Sequence, residues 1–344
     1  MTLSRSLLFL ILVGVFLMMT DNILNAESNQ EYKVTRFFEN PIITPAMMGD
    51  IKENINGPTL IRVPDWVKNK LGKYYLYFSH HEGLYIRLAY ADNLHGPWKI
   101  YKPGVLNVNA IKGNPDHVAS PDAVIDEEKQ EIRLYVHAPT AAVLKSNDPQ
   151  YAEKIGDSKQ DTFVAASKDG LDFKVVPEIM GEWYFRVWNW KGTYYAIARG
   201  GSPLYRSRDG ITPFEKAPIS PFDKDPEFKK IRHTAIKLDG DVMTVFYSRI
   251  GDTPEHIMMS KIKLSPNWEN WTATKPVSFL RPETGYEGVN LPLAPSKVGM
   301  TIPRVNELRD PAIFQESGRT YLLYTVEGEY GIAIAELESL KKKK

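Results

Sequence analysis

Apolar and polar residues alternate along most of the chain in short runs that turn residues separate. The clearest example covers residues 308–314, which lead through Ser317 and Gly318 into the aromatic-rich run 320–326. Alternation with a period of two, bounded by turn residues, predicts two antiparallel β-strands joined as a hairpin.

The same hairpin pattern occurs four more times. The paired runs are residues 56–61 with 74–78, 119–125 with 132–136, 184–190 with 194–198, and 231–236 with 242–248. The spacing of roughly 50–75 residues is typical of the blades of a β-propeller. Third and fourth strands follow in several units, for example 85–91 and 96–101 in the first. The pattern therefore predicts an all-β, five-bladed β-propeller whose first and last blades are in contact. A β-sandwich of hairpins is the alternative.

Composition narrows the class of protein. The chain has 344 residues, of which 43% are hydrophobic, and a net charge of +1. One all-β domain of this size is ordinary. Nucleic acid is not expected as a partner, because phosphate binding needs a basic surface. The chain has no cysteine, so neither a disulfide framework nor a thiolate site is available.

The first 26 residues have the pattern of a signal peptide. Arg5 gives a basic start, residues 7–19 are apolar, and Ala26 is a small residue at a cleavage point. We therefore expect residues 1–26 to be removed, residues 27–344 to form one propeller domain, and the protein to be secreted or periplasmic. The stretch is short for a membrane span, so no membrane association is expected after cleavage; an uncleaved anchor is the alternative.

Propeller geometry predicts a site. Residues at the start of each innermost strand and at the end of each second strand should meet in one central cup. The first set is Asn56, Asp122, Glu182, His233 and Asp310; the second is the pair His80 and His81, His137, Arg199, Arg249 and Glu327. A single Asp in such a position often caps its own turn, but matched positions in most blades favour a site.

Convergent carboxylates suit glycoside hydrolysis, in which one carboxyl must be protonated and another ionised. Neighbouring charges and burial would separate their pKa values. Aromatic residues such as Trp188 and Tyr286 could stack on sugar rings. Glu287, in the long connection 267–304, is a further substrate-binding candidate and the next candidate for the acid.

The chain resembles the five-bladed propeller glycoside hydrolases of family 43 and their relatives. The motifs that carry the resemblance are Ser120-Pro121-Asp122, Arg309-Asp310-Pro311, the return strand 72–78 and the run 85–98. It covers roughly residues 37–337. The resemblance implies that Asp122 tunes the pKa of the acid and that Glu182 is the acid, while His233 matches a blade-four histidine of the family.

The sequence departs from the family at the first blade. Asn56-Gly57-Pro58 stands where the family has the Asp that acts as base, and asparagine cannot take that role. Asp310 or Asp65 is the candidate replacement. No cofactor is required by this chemistry, although in some relatives the blade-four region helps to hold a central calcium, which leaves that ion open here.

We therefore expect an exo-acting glycoside hydrolase on plant or algal polysaccharide fragments, with Asp122, Glu182 and Asp310 as catalytic residues. The substrate is expected to be anionic, because arginine holds carboxylate or sulfate through paired N–H donors. The residues expected to bind it are Asn56, His81, His137, Arg199, His233, Arg249 and Glu287. Two alternatives remain: a polysaccharide lyase that uses His and Arg on a uronate, and a sugar-binding propeller without catalysis.

Overall fold

The alternating runs of the sequence form five antiparallel sheets arranged as the blades of a β-propeller. The computed structural model describes residues 31–49, 53–113, 115–139, 160–201, 203–223 and 226–340. In chain order the strands are β1 (Tyr32–Arg36), β2 (Asn56–Arg62), β3 (Tyr74–Ser79), β4 (Tyr85–Ala91), β5 (Lys99–Asn107), β6 (Ala119–Asp126), β7 (Glu131–Ala138), β8 (Asp161–Ser167), β9 (Lys174–Val175), β10 (Gly181–Glu182), β11 (Arg186–Trp190), β12 (Thr193–Ile197), β13 (Leu204–Ser207), β14 (Glu215–Lys216), β15 (Ile231–Asp239), β16 (Val242–Arg249), β17 (Ile257–Lys263), β18 (Val277–Leu280), β19 (Arg309–Glu316), β20 (Arg319–Thr325) and β21 (Ile332–Ser339).

Short 3₁₀ helices are the only helices in the described ranges. They are Pro45–Met48, Val108–Ala110, Arg199–Gly201, Pro226–Lys230, Trp268–Asn270 and Gly285–Glu287. None of the helices in this part of the chain has the length and apolar character needed to cross a membrane.

Blade 1 has the strand order β2-β3-β4-β5, blade 2 β6-β7-β8-β10 with β9 also on β8, blade 3 β11-β12-β13-β14, and blade 4 β15-β16-β17-β18. Blade 5 has the order β19-β20-β21-β1, so the first strand of the chain completes the last blade. In this pairing Tyr32 lies opposite Ser339 and Arg36 opposite Ala335. The first strands of neighbouring blades contact one another around the ring. The predicted five-bladed propeller is confirmed, and a β-sandwich is excluded.

The hydrophobic core is divided among the five interfaces between blades. Leu60 and Leu76 of blade 1 pack against Phe314 and Leu323 of blade 5, which confirms the predicted contact between the first and last blades. Each of the other four interfaces has its own apolar cluster. A blade buries both faces of its sheet only against its neighbours, so stability depends on ring closure. Truncation of the fully buried Leu323 to Ala would cost about 2–5 kcal/mol.

The innermost strands share an irregularity that shapes the centre of the molecule. In blade 1, Asn56 pairs with Ser79, but the next pair is Thr59 with Tyr77, so the inner strand contains one extra residue. The same bulge occurs in the inner strands of blades 2, 4 and 5. A bulge of this kind bends the strand and redirects a side chain.

One predicted segment, the signal peptide of residues 1–26, lies outside the described residues.

Candidate active site at the centre of the propeller

The bulges of blades 1, 2, 4 and 5, and the equivalent step just before β11 in blade 3, place one residue of each blade beside the propeller axis. These equivalent positions are Gly57, Ser120, Tyr184, Arg232 and Asp310. In blade 3 the equivalence follows from the backbone hydrogen bond that Arg199 N donates to O of Trp183, which lies three residues before the start of β11. Ser120, Tyr184 and Asp310 have φ values of 46°, 64° and 47°. Non-glycine residues in this left-handed region are strained, and such residues cluster at functional sites.

A pocket with a volume of about 420 Å³ opens above this ring and is here called the central pocket. Its size is in the range of small-molecule sites. Its polar and aromatic wall is formed by Asn56, His81, His117, Ser120, His137, Gln160, Trp183, Tyr184, Arg199, Arg232 and His233. Four imidazoles and two guanidinium groups dominate this wall, and among the described residues no carboxylate lines it.

His81 is the pocket histidine whose surroundings most resemble those of a general base. Its Nδ1 lies 3.0 Å from Oε2 of Glu329 and 2.8 Å from the side-chain amide of Asn56. Although burial raises the pKa of Glu329, the hydrogen bond and charge of His81 and the charge of Arg309 lower it below its ordinary value. The ionised carboxylate favours the tautomer with the proton on Nδ1, which leaves Nε2 as the basic nitrogen. In that tautomer Nδ2 of Asn56, itself a donor, contacts the ring without a hydrogen bond.

The side chain of Asn56 is held in place by the hydroxyl of Ser79. Its Oδ1 accepts a hydrogen bond of 2.5 Å from the Ser79 hydroxyl, and the same hydroxyl accepts from the backbone N–H of Ser120. Asn56 therefore contacts His81 from a fixed position, a role that its amide can perform although it cannot act as a base.

His233 forms the second histidine–carboxylate pair. Its Nδ1 contacts Oδ1 of Asp310, and the other oxygen of Asp310 accepts from Gly57 N at 3.0 Å. Burial lowers the pKa of His233 well below its ordinary value, and the charges of Arg232 and Arg186 lower it further. The ring is therefore neutral near pH 7. The structure places Asp310 behind the pocket wall, fully buried, rather than in the pocket.

Tyr184 lies between two of the pocket histidines. Its ring centroid is 4.3 Å from that of His137 and 4.1 Å from that of His233. Burial, followed by the charge of Glu329, raises the pKa of Tyr184 to about 12, so its hydroxyl keeps its proton. Burial also lowers the pKa of His137 well below its ordinary value. This group thus combines neutral imidazoles with a protonated phenol.

Arg199 supplies the more accessible cation of the pocket. Its side chain is 48% exposed, and its Nε donates to Oε2 of Glu182 at 2.6 Å. Glu182 also accepts from Lys216 at 2.6 Å and from the Tyr205 hydroxyl at 3.3 Å. Both carboxylate oxygens of Glu182 are thus occupied, and they face an adjoining pocket rather than the central one.

A layer of buried charge lies beneath the wall. The fully buried Arg309 donates from Nε to Glu307 at 2.7 Å and from Nη1 to Glu329 at 3.3 Å. Glu255 pairs in a bidentate manner with Arg232, at 2.8 and 3.0 Å. Burial raises the pKa of Glu307, although Arg309 opposes that effect. The acidic residues of the centre therefore orient the wall from behind.

The remaining predicted site residues lie elsewhere. Asp122 stands between blades 2 and 3, where it accepts from Val187 N at 2.7 Å; Thr59 makes the equivalent bond to Ala123 N. Burial raises the pKa of Asp122, while the charge of Arg186 opposes the rise.

Glu182 belongs to β10 at the outer edge of blade 2, paired with β8, and not to the start of blade 3 as the sequence predicted. Arg249 pairs with Asp252 at 3.0 Å beside Lys230. It does not line the central pocket.

Glu287 is fully buried near β1, bonded to Arg36 and to the Tyr324 hydroxyl. Of the other candidates, Glu327 pairs with Arg304, Asp65 pairs with Lys70, and Trp188 packs in the core. The structure thus brings together Asn56, His81, His137, Arg199 and His233, half of the ten predicted residues.

Sequence reasoning missed several residues of the wall. His117, Gln160 and Trp183 lie in connections that the hairpin pattern does not register, and Glu329 follows β20 in an irregular turn. A signal existed for Ser120, because it precedes a proline at the start of an inner strand, as Gly57 and Asp310 do.

The described residues do not fit a central calcium ion. Calcium takes six to eight oxygen ligands, many of them carboxylate. The wall instead presents imidazoles and guanidinium groups, and within the described ranges no group of three or more His, Asp or Glu is arranged to hold a metal.

Comparison with solved structures identifies the fold. An enzyme of glycoside hydrolase family 43 from Xanthomonas citri, solved with xylose, has a TM-score of 0.54 at 13% identity, covering 89% of this chain and 93% of that one. An exo-1,5-α-L-arabinanase from a bovine ruminal metagenomic library has a TM-score of 0.52 at 12% identity, over 85% and 94%. The α-L-arabinanase of Cellvibrio cellulosa has a TM-score of 0.51 at 14% identity, over 85% and 93%. The chain therefore has the five-bladed fold of these glycoside hydrolases.

Comparison of sequences gives a closer relationship. No family model matches the chain. An uncharacterized protein of Acanthamoeba polyphaga mimivirus is 36% identical over 357 aligned positions, which cover 94% of this chain and 96% of the viral protein. The chain therefore belongs to the same protein family as this viral protein. Its fold is the five-bladed propeller of the glycoside hydrolases named above.

Proposed function

We propose that the protein is an enzyme that cleaves the glycosidic bond of an anionic saccharide bound in the central pocket. The observation that carries the proposal is the composition of the wall, with four imidazoles, two guanidinium groups and one tyrosine. The glycoside hydrolase fold supports a saccharide as the substrate. The pocket volume of about 420 Å³ suits a short end of such a chain.

Arg199 is the residue best placed to hold the anion. Only its Nε is bonded, to Glu182, and the contacts in the described part of the chain leave its two terminal nitrogens for a ligand. A guanidinium group presents parallel N–H donors that match a carboxylate or a sulfate. Arg232 contributes charge from deeper in the wall, because Glu255 occupies its Nε and one Nη.

The charge of the wall favours elimination over hydrolysis. Hydrolysis passes through an oxocarbenium-like transition state and uses two carboxyl groups at the scissile bond. Among the described residues no carboxyl group lines the central pocket, and the charges of Arg199 and Arg232 would oppose the positive charge of such a transition state. Elimination next to a uronate instead develops negative charge on the sugar carboxylate, which preorganised cations stabilise.

The residues can be assigned to the elimination as follows. The uronate carboxylate binds Arg199, and Nε2 of His81 removes the proton on the carbon next to that carboxylate. The electron pair of the broken C–H bond forms a C=C bond as the C–O bond to the leaving sugar breaks. Tyr184 donates its proton to the leaving oxygen, and its pKa of about 12 keeps that proton available at neutral pH. No co-reactant is required.

Hydrolysis remains the second candidate because a specific observation favours it. Glu182 lies in an adjoining pocket that shares Arg199 and Gly200 with the central one. A substrate that displaces Arg199 or Lys216 from Glu182 would expose a carboxyl group at the junction of the two pockets. The fold comparison supports the same reaction class.

Incubation with matched acidic and neutral oligosaccharides tests the proposal. Elimination produces an unsaturated uronate that absorbs in the ultraviolet, whereas hydrolysis produces two saturated sugars. We expect turnover of the acidic series with the ultraviolet signal. Saturated products would transfer the assignment to hydrolysis, and better turnover of the neutral series would overturn the anionic substrate.

Export is part of the same proposal. A secreted or periplasmic enzyme would meet plant or algal polysaccharide fragments directly. Mass determination of the mature protein after expression in an exporting host tests it, with a chain that begins near Glu27 as the expected result. An intact N-terminus would overturn export by cleavage.

A further inference from the structure

A further pocket of about 420 Å³, separate from the one that contains Glu182, is here called the tyrosine pocket. It opens at the same end of the blades as the central pocket, because its residue Glu327 follows β20 as His81 of the central pocket follows β3. It is lined by Pro41, Thr44, Pro45, Glu53, Gly285, Tyr286, Arg304, Val326, Glu327 and Tyr330. Both tyrosines are half-buried, so each exposes part of a ring beside proline and threonine. Half-exposed aromatic rings with polar rims are surfaces on which a sugar ring can stack.

Three short segments connect the two pockets. Glu53 lines the tyrosine pocket and Asn56 the central one, three residues apart, which is a span of at most about 10 Å. Gly299 lines the central pocket and Arg304 the tyrosine pocket. Glu329 bonds His81 of the central wall, while the adjacent Tyr330 faces the tyrosine pocket. A single saccharide chain is long enough to reach both.

The charge of the tyrosine pocket differs from that of the central pocket. Its charged lining residues are two carboxylates, Glu53 and Glu327, and one guanidinium, Arg304. Arg304 is already paired with Glu327, with its Nε 2.7 Å from Oε2. The remaining carboxylate of Glu53 is exposed and can accept hydrogen bonds from sugar hydroxyls. An acidic sugar would be repelled here, whereas a neutral sugar would not.

The loop that forms one wall is held in a fixed shape. Glu327 and Gly328 both have positive φ values, of 51° and 80°. Backbone bonds from Val305 N to Glu327 O, at 3.3 Å, and from Gly328 N to Glu307 O, at 3.0 Å, fix this turn. The pocket is therefore largely preformed, which reduces the entropy cost of binding.

We propose that the tyrosine pocket binds a neutral sugar unit of the same saccharide whose acidic unit occupies the central pocket. This inference rests on the proposed function and narrows its substrate class. The substrate is a mixed saccharide, in which an anionic unit is followed within a few units by a neutral one, rather than a homopolymer of uronic acid.

Calorimetric titration tests the inference. The probes are glucuronic acid itself and xylo-oligosaccharides of increasing length that carry one terminal glucuronic acid, with oligogalacturonates of the same lengths for comparison. We expect Kd to fall by about tenfold once the mixed chain reaches the tyrosine pocket, which is the gain that one aromatic contact supplies. The oligogalacturonates should show no such gain.

Variants locate the effect. Tyr330→Ala should abolish the gain with length and leave the Kd of glucuronic acid unchanged, while Tyr330→Phe should retain the gain because the ring remains. Tyr101→Ala is the matched control, since Tyr101 is a half-buried tyrosine on the outer strand of blade 1. Circular dichroism and the melting temperature establish that each variant is folded.

The outcomes separate the two proposals. If glucuronic acid binds but the mixed chains bind no better, or if Tyr330→Ala keeps the gain, the tyrosine pocket is overturned and the central pocket survives. If glucuronic acid does not bind, the proposed function fails, and unsubstituted xylo-oligosaccharides then test the tyrosine pocket alone. If the unsubstituted xylo-oligosaccharides bind and Tyr330→Ala abolishes that binding, the tyrosine pocket is supported. If they do not bind, the tyrosine pocket is overturned as well.

Discussion

Two histidine–carboxylate pairs stand on the wall of the same pocket, and they differ in access rather than in chemistry. In both, Nδ1 faces a fully buried carboxylate, Glu329 for His81 and Asp310 for His233. The side chain of His81 is 25% exposed, whereas that of His233 is 5% exposed. The same pairing therefore gives one imidazole that can meet a substrate and one that mainly orders the centre of the ring.

The difference also shows how the fold separates charge. The carboxylates lie behind the wall, bonded to Arg309, Arg232 and backbone N–H groups, and the imidazoles face the cavity. Buried charges are tolerated when they are paired and hydrogen-bonded. The pocket consequently presents bases and cations to a ligand although the centre of the molecule is rich in acidic residues.

The largest expected effect comes from His81. His81→Gln removes the basic nitrogen and should lower kcat by roughly 10³-fold, within the range of general base catalysis. His233→Gln should lower kcat by less than about tenfold, because only 5% of that side chain is exposed. Steady-state kinetics on an acidic oligosaccharide measure both.

His95→Gln is the control, since that exposed histidine stacks on Phe37 outside the pocket. An equal loss in the His81 and His233 variants would break the comparison, because access would then not separate the two pairs.

The second expected effect is on stability at acidic pH. The pKa of His233 is lowered by burial, Arg232 and Arg186, and that of His137 by burial, His117 and His81. Below pH 6.5 the unfolded chain binds protons at these histidines and the folded chain does not, so stability falls as pH falls. Two such groups give a slope of about 2.7 kcal/mol per pH unit.

Urea unfolding between pH 7.5 and 5 measures this slope, in the range below the ordinary histidine pKa. His137→Gln should remove about half of it, and His95→Gln should not. A midpoint that stays constant down to pH 5 would show that these rings are protonated in the folded protein.

A smaller effect is expected from Glu182. If it positions Arg199, Glu182→Gln should raise KM for an acidic substrate about tenfold and leave kcat nearly unchanged, because a charge-assisted hydrogen bond is weakened. If it is the acid of a hydrolase, kcat itself should fall by roughly 10³-fold.

The split between KM and kcat in this variant thus decides between the two reaction classes. Lys216→Met is the matched control, because it removes the other cation that bonds Glu182 and leaves Arg199 in place. Its KM should stay within about threefold of the value for the unmutated protein. A kcat loss in Glu182→Gln that neutral substrates share would remove the positioning role.

The smallest effect is expected from Arg249. It pairs with Asp252 beside Lys230, away from the central pocket. Arg249→Lys should change KM for the acidic substrate by less than about twofold. It should lower the free energy of unfolding by roughly 0.5–1 kcal/mol. Arg199→Lys, the matched change in the pocket, should raise KM about tenfold. A larger KM effect at Arg249 would place the anion elsewhere.

The comparison of the two pairs also marks how far the site could be predicted. His81, His137 and Arg199 were found because the end of a second strand is a local feature that alternation fixes within a residue. Asp122 and Glu182 were not placed correctly, because a bulge shifts the inner strand by one residue and β10 pairs with the outer edge of blade 2. Neither the bulged pairing of β6 with β7 nor the pairing of β10 with β8 can be predicted from the local sequence.

The sequence alone determined the five hairpin repeats, the all-β class and the closed ring, because each depends on a period of two and on turn residues within about 75 positions. Only the tertiary structure decided which side chains face the cavity. His81 and Glu329 are 248 residues apart, and His233 and Asp310 meet across two blades. Each of these contacts joins two different blades and exists only once the blades have packed against one another around the ring, so no local pattern could reveal that the acids support the wall from behind.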